Sequence, residues 1–322
     1  MKLTWKHAAI LVAAATIATT ALAQQRLFFG IATGGTGGTY YPLGGMLAQL
    51  ISNKAVVEGK KISATAEAAG ASVGNAKLLG TKDIESAFVA ADILDAAYNG
   101  SGQFAGAPIK NLRVLGGLYP ETVQLITRAD SGINSVRDLK GKSISSGSPG
   151  SGQYQLLTDL LKVYGMSRAD VKEDLSSFTQ AVDKIKDGNL HATLITAGTP
   201  TAAVTDFAQS HALKVIPLAG AEIAALQKEQ PFYASVQLAP NTYKGQTATV
   251  ETLAVMAVWT THDAVPDNVA YEVTKALYEN TVIMGQVHAQ GKNISLATAT
   301  AVGKVPLHPG ALKYFKEKGS VK

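Results

Sequence analysis

The sequence predicts an α/β protein built as two lobes, on three observations. The chain has 322 residues, about two domains at roughly 150 residues each. It is 46% apolar, enough to fill hydrophobic cores. A unit of strand, Gly/Ser/Thr-rich loop and helix recurs over residues 27–52 and 142–164 and, more weakly, 191–208. That alternation marks a parallel sheet flanked by helices.

At the N-terminus, Lys2 and Lys6 precede an uncharged run over residues 8–23 that closes on Ala21-Leu22-Ala23. This is the pattern of a secretory signal peptide, with cleavage expected after Ala23. The run is 16 residues long, short of the ~20 that span a bilayer. Residues 1–23 hold two lysines and no acid, so their removal takes the formal charge from +5 to +3. The mature chain is therefore expected to be soluble and exported.

The elements follow in order. Leu27–Ala32 is a short apolar strand running into Thr33-Gly-Gly-Thr-Gly-Gly-Thr39. Pro42 suits a first helical turn, where its missing N–H costs nothing. Leu43, Met46, Leu47 and Leu50 then make one apolar helix face. Ile62–Ala66 is a strand, Ser72 an N-cap for a helix through Leu79 ended by Gly80, and Ile84–Ala90 a third strand. Leu112–Tyr119 and Val123–Arg128 read as two extended runs separated by Pro120. The second unit has a strand at Lys142–Ser146, the loop Gly147-Ser-Pro-Gly-Ser-Gly152, and a stripe of Leu157, Leu160, Leu161 and Tyr164 stopped by Gly165. Strands at His191–Thr196 and Leu213–Pro217, a long strand at Val250–Thr261, a helix over Pro266–Val287 and a helix from near Pro309 complete the chain.

Ligands of open α/β sheets sit beyond the carboxyl ends of the strands. A helix starting there presents unpaired N–H groups and the positive end of its dipole, and glycine lets a ligand approach the backbone. Two such loops facing one another from two lobes form an anion clamp. Other chemistries fit poorly. Without cysteine there is no disulfide, thiolate metal site or Cys nucleophile. The positive charge is not clustered, against nucleic-acid binding. The dinucleotide fingerprint fails at Tyr40, and the phosphate loop fails at Thr36 and Gln153, where lysine is needed. There is no G-x-S-x-G elbow and no close His metal pair. No cofactor, metal or catalytic residue is expected.

Five stretches resemble the TAXI-type solute receptors of TRAP transporters in register: Gly34-Gly-Thr-Gly-Gly-Thr-Tyr-Tyr-Pro-Leu-Gly44; Ala71-Ser-Val-Gly-Asn75; Leu139-Lys-Gly-Lys142 with Gly147–Gly152; Asp187-Gly188 with Ala197-Gly-Thr-Pro200; and Leu307-His-Pro-Gly-Ala311 with Tyr314. The family commonly has glycine where this chain has Ala71, and an acidic residue at Gly74. The resemblance implies a two-lobed type II periplasmic-binding-protein (Venus-flytrap) fold with a hinge between lobes. It implies a monomeric receptor that captures an organic anion, glutamate-like or 2-oxoglutarate-like, for a TRAP permease driven by an ion gradient. Residues 24–121 and 244–322 would form the first lobe and 122–243 the second, with crossings near Glu121 and Tyr243.

Thr36, Gly37, Gly38, Thr39 and Tyr40 are the expected donors to one ligand carboxylate, with Ser72 and Asn75 beside them. From the second lobe come Gly150, Ser151, Gly152 and Gln153, with Gly198, Thr199 and Pro200 as the far wall. Tyr233 and Tyr243 are candidates to cover the ligand, and Lys77 and Arg128 to assist from outside. A receptor for a signalling membrane protein, and an exported enzyme on the same fold, are the other functional classes; the enzyme needs a general base that the sequence does not mark.

Overall fold

The computed structural model describes residues 27–321; the expected signal peptide lies outside them. Among the described residues no helix is long and apolar enough to cross a membrane.

The first lobe opens with β1 (Leu27–Ala32), α1 (Tyr40–Lys54), β2 (Val56–Val57), β3 (Lys60–Glu67), α2 (Ala71–Thr81), β4 (Ser86–Ala90) and α3 (Ala91–Asn99). β1 lies parallel between β3 and β4. The helix stripe works as its spacing requires: Leu43, Leu47 and Leu50 of α1 are buried.

β5 runs unbroken from Leu112 to Arg128, so the two runs expected on either side of Pro120 are one strand. Proline lacks the ladder N–H, which normally interrupts a strand. Here the ladder to the antiparallel partner is irregular at that point: Pro120 faces Met256, and the register then slips before Val258. A bulge of this kind bends a strand and relaxes the pairing demand on one residue.

The second lobe contains β6 (Ser143–Ser145), α4 (Gln153–Val163), β7 (Lys172–Asp174), α5 (Phe178–Lys186), β8 (Ala192–Ala197), α6 (Ala202–Ser210), β9 (Leu213–Ile216), α7 (Ala221–Glu229) and β10 (Ala234–Leu238). The chain returns through β11 (Val250–His262) and ends with α8 (Asp267–Tyr278), α9 (Thr281–Val287) and α10 (Pro309–Glu317). The single helix expected over 266–287 is broken at Glu279-Asn280, where the Asn280 amide turns back to donate to the Ala276 carbonyl. Such local side-chain bonds compete with the helical ladder.

The strand order is β2-β3-β1-β4-β11-β5-β8-β6-β7, with β10 on β11 and β9 on β5. β5 and β11 thus serve both lobes. Near its start β5 pairs with β11, and near its end with β8 and β9. β11 pairs first with β10 and then with β4. We place the lobe division where these strands cross, at Pro120–Thr122 and Ala254–Met256. Tyr243, near which the second crossing is expected from sequence, packs in one apolar cluster with Phe207 and Val204. The first-lobe core centres on Phe29, Leu47, Phe88, Trp259 and Tyr314. A further cluster, including Ile93, Leu156, Leu160 and Val255, carries apolar packing across the seam.

Candidate functional site

Both lobes contribute to one cavity of about 240 Å³. Of the expected residues, Thr36, Gly37, Gly38, Thr39, Tyr40, Ser72, Ser151, Gly152 and Gln153 line it, as does Tyr233. Asn75, Gly150, Gly198, Thr199, Pro200 and Tyr243 do not.

The first-lobe loop turns tightly, with the Gly38 N–H donating to the Gly35 carbonyl at 3.1 Å. Thr39 is the N-cap of α1 but makes no side-chain cap. Its hydroxyl crosses to the other lobe and donates to the Gly198 carbonyl at 3.1 Å. Gly37 is likewise a contact residue: its carbonyl accepts from Ala203 N–H at 3.1 Å. A Cβ on Gly37 would collide with Thr179.

Ser72 does not cap α2; Gly70 holds that position. The Ser72 hydroxyl instead accepts from the Ala90 N–H at 3.0 Å, satisfying the backbone where β4 gives way to α3. Ala71 and Ser72 at the start of α2 line the cavity, but the next two N–H groups of that helix start are turned to the other lobe. The Val73 and Gly74 N–H groups donate to the Gly150 carbonyl at 2.9 and 3.0 Å. Two N–H groups of the α2 start are thus taken by the opposite lobe, and Gly150 belongs to the seam. Asn75 is wholly buried, and its amide donates to the carbonyls of Ala32, Thr33 and Phe88. It fastens the end of β1 to the middle of β4. Gly198, Thr199 and Pro200 also form seam: the Gln290 amide donates to Thr199 O at 2.9 Å, and His288 Nε2 lies 3.0 Å from Pro200 O. The Tyr243 hydroxyl accepts from Thr201 N–H at 2.9 Å, within the second lobe.

In the second lobe the loop after β6 uses Gly147 and Gly150 at positive φ, where glycine alone is unstrained. Ser151 is buried beneath it. Gln153 opens α4 and leaves its side-chain oxygen without a partner. Ser177, Phe178 and Thr179 at the start of α5 also line the cavity, though they were not selected from sequence. The Ser177-x-x-Gln180 capping box there was the signal that could have found them.

Among the described residues no lysine or arginine lines the cavity, but two acids do, Asp92 and Glu121. Lys77 is exposed, and Arg128 pairs with Asp130 at the far end of β5. Glu121 sits at the β5 crossing, 4% exposed, and accepts from the Tyr40 hydroxyl at 2.7 Å. Burial pushes its carboxyl up to about 8, opposed by the Tyr40 hydrogen bond and helped by the Asp92 charge. Asp92, in the first turn of α3, accepts from the Tyr233 hydroxyl at 2.7 Å; burial raises its carboxyl too. Its other oxygen has no partner. Neither acid stands in a sequence pattern that marks it: Glu121 is an isolated charge in an apolar strand, and Asp92 resembles an ordinary first-turn aspartate.

These features define a two-lobed periplasmic-binding-protein fold closed around a donor- and acceptor-lined cavity. Residues 31–319 match the NMT1-like family, and the chain belongs to it. Among solved structures it is similar to the periplasmic binding protein BugD, with a TM-score of 0.56 and 13% identity over 92% of this chain and 95% of that one. A protein of Bordetella bronchiseptica RB50 is also similar, with a TM-score of 0.53 and 16% identity over 90% of this chain and 89% of that one.

Proposed function

We propose that this protein is a periplasmic solute receptor that captures a small organic acid, of glutamate or 2-oxoglutarate size, and presents it to a membrane permease of the TRAP type. One observation carries the reading: glycine-rich helix starts from both lobes converge on a single small cavity at the lobe seam. The N-termini of α1 and α4 bring unpaired N–H groups and positive dipole ends to a carboxylate. Ser151 and Thr36 add hydroxyls. With no cationic side chain in the lining, neutral donors carry the charge stabilisation. The family and the BugD-like fold support a binding protein, and the TAXI-like motifs support the TRAP partner.

A thermal-shift screen of amino acids, dicarboxylates and 2-oxo acids tests it. A true ligand at 100 times its Kd is expected to stabilise the fold by about 2.7 kcal/mol. Calorimetry on a Thr36→Ala, Ser151→Ala double variant is expected to show at least a tenfold weaker Kd, since unmet buried groups cost about 1–3 kcal/mol each. Unchanged affinity refutes the anion clamp. Uptake by cells carrying receptor and permease separates transport from sensing, and chemical conversion of the bound acid, followed by NMR, would reveal an enzyme.

A further inference from the structure

We infer that the cavity has a second pole, formed by Asp92, Glu121 and Gln153, that selects a ligand carrying a protonated nitrogen in addition to its carboxylate. The inference rests on the small-acid reading of this cavity and sharpens it.

The unmet groups in the lining are mainly acceptors. Asp92 leaves Oδ1 and Gln153 leaves Oε1 without a partner, and the Thr196 hydroxyl is also unpartnered. All three residues line the cavity, and Gln153 is only 7% exposed. Buried polar groups in native proteins are almost always satisfied. A ligand N–H group is the partner that acceptors of this kind require, and a ligand carboxylate offers them nothing.

Charge points the same way. Asp92 and Glu121 meet tyrosine hydroxyls, not cations. Tyr40 and Tyr119 face Glu121, as does Asp92, while Tyr233, Asp159 and Glu121 face Asp92. No lysine, arginine or histidine is among these groups. A dicarboxylate would bring a further negative charge toward Asp92 and keep Glu121 protonated, whereas an ammonium group supplies a counter-charge to Asp92, and to Glu121 once it gives up its proton. Tyr40 links the two poles: its backbone begins α1 at the glycine loop, and its hydroxyl reaches Glu121.

Capture is then coupled to protons. Glu121 holds its proton at neutral pH in the empty cavity because burial disfavours the anion. An ammonium group placed against the pair favours the ionised form, so binding near pH 7 releases protons to solvent.

The test is calorimetry on the full mature chain with matched pairs: each L-amino acid against the 2-oxo acid and the deamino acid of the same skeleton. The amino member of any binding set is expected to bind at least tenfold tighter. Its binding enthalpy is expected to vary with buffer ionisation enthalpy in the sense of proton release. Asp92→Asn is expected to shrink the preference at least tenfold, with a thermal melt confirming the fold. If that variant does not fold, the wild-type comparison decides. Equal or tighter binding of the oxo or deamino member, or proton uptake with the amino member, overturns the second pole and leaves the small-acid reading intact. Failure of every acid to bind overturns both.

Discussion

Ala71 occupies a left-handed backbone conformation, with φ of 55°. A Cβ there costs roughly 1–2 kcal/mol, partly offset because alanine loses less chain entropy than glycine on folding. Ala71→Gly is therefore expected to raise stability by about 0.5–1 kcal/mol, read from denaturant unfolding. Glu121 gives a second prediction at this scale. Its carboxyl rises from 4.5 to about 8 on folding, so the native state binds the extra proton between those values. The unliganded protein should lose stability as pH rises through that window, by at most about 1.4 kcal/mol per pH unit, with no further loss from this group above about 8. Glu121→Gln is expected to flatten this dependence in melts spanning the window; an unchanged slope would show that Glu121 is not the group responsible.

At the scale of elements, the α2 N-terminus and the loop after β6 form the tightest backbone contact between lobes. The Gly150 carbonyl accepts two N–H groups there. Gly150 is at φ of 87°, and a Cβ would lie 2.9 Å from the Gly70 carbonyl oxygen. Gly150→Ala is thus both strained and obstructed by Gly70 of the other lobe. Ligand affinity is expected to fall about tenfold for a closure cost near 1.4 kcal/mol, while the melting temperature of each lobe's core changes less. Affinity equal to wild type would mean the seam does not contribute to capture. The glycine loops themselves were legible from sequence because a turn into a helix start needs particular local residues. That Gly150, Gly198 and Asn75 serve the seam and the strand ends was not legible. Those roles depend on which carbonyls other elements bring near.

For the whole molecule, we propose the two crossings at Pro120–Thr122 and Ala254–Met256 as the hinge. Rigid lobes rotating about two strands need only a few residues to change conformation. Saturating ligand is expected to reduce the radius of gyration measured by X-ray scattering. Identical curves with and without ligand would rule out closure of the lobes. Glu121 lies at one of these crossings, buried in a cavity lined by residues of both lobes, so its protonation is expected to follow lobe closure.

The sequence by itself determined the α/β class, the helix stripes, the glycine loops beyond the strands and the absence of lysine or arginine from them. These follow from periodicity and backbone preference, which act over a few residues. Only the tertiary structure decided that Pro120 lies within a continuous strand, that Asn75 is a fastener, and that Asp92 and Glu121 face the cavity. Desolvation and partner choice come from atoms distant in the chain, so an acid looks ordinary in sequence until folding removes its water and surrounds it with tyrosines.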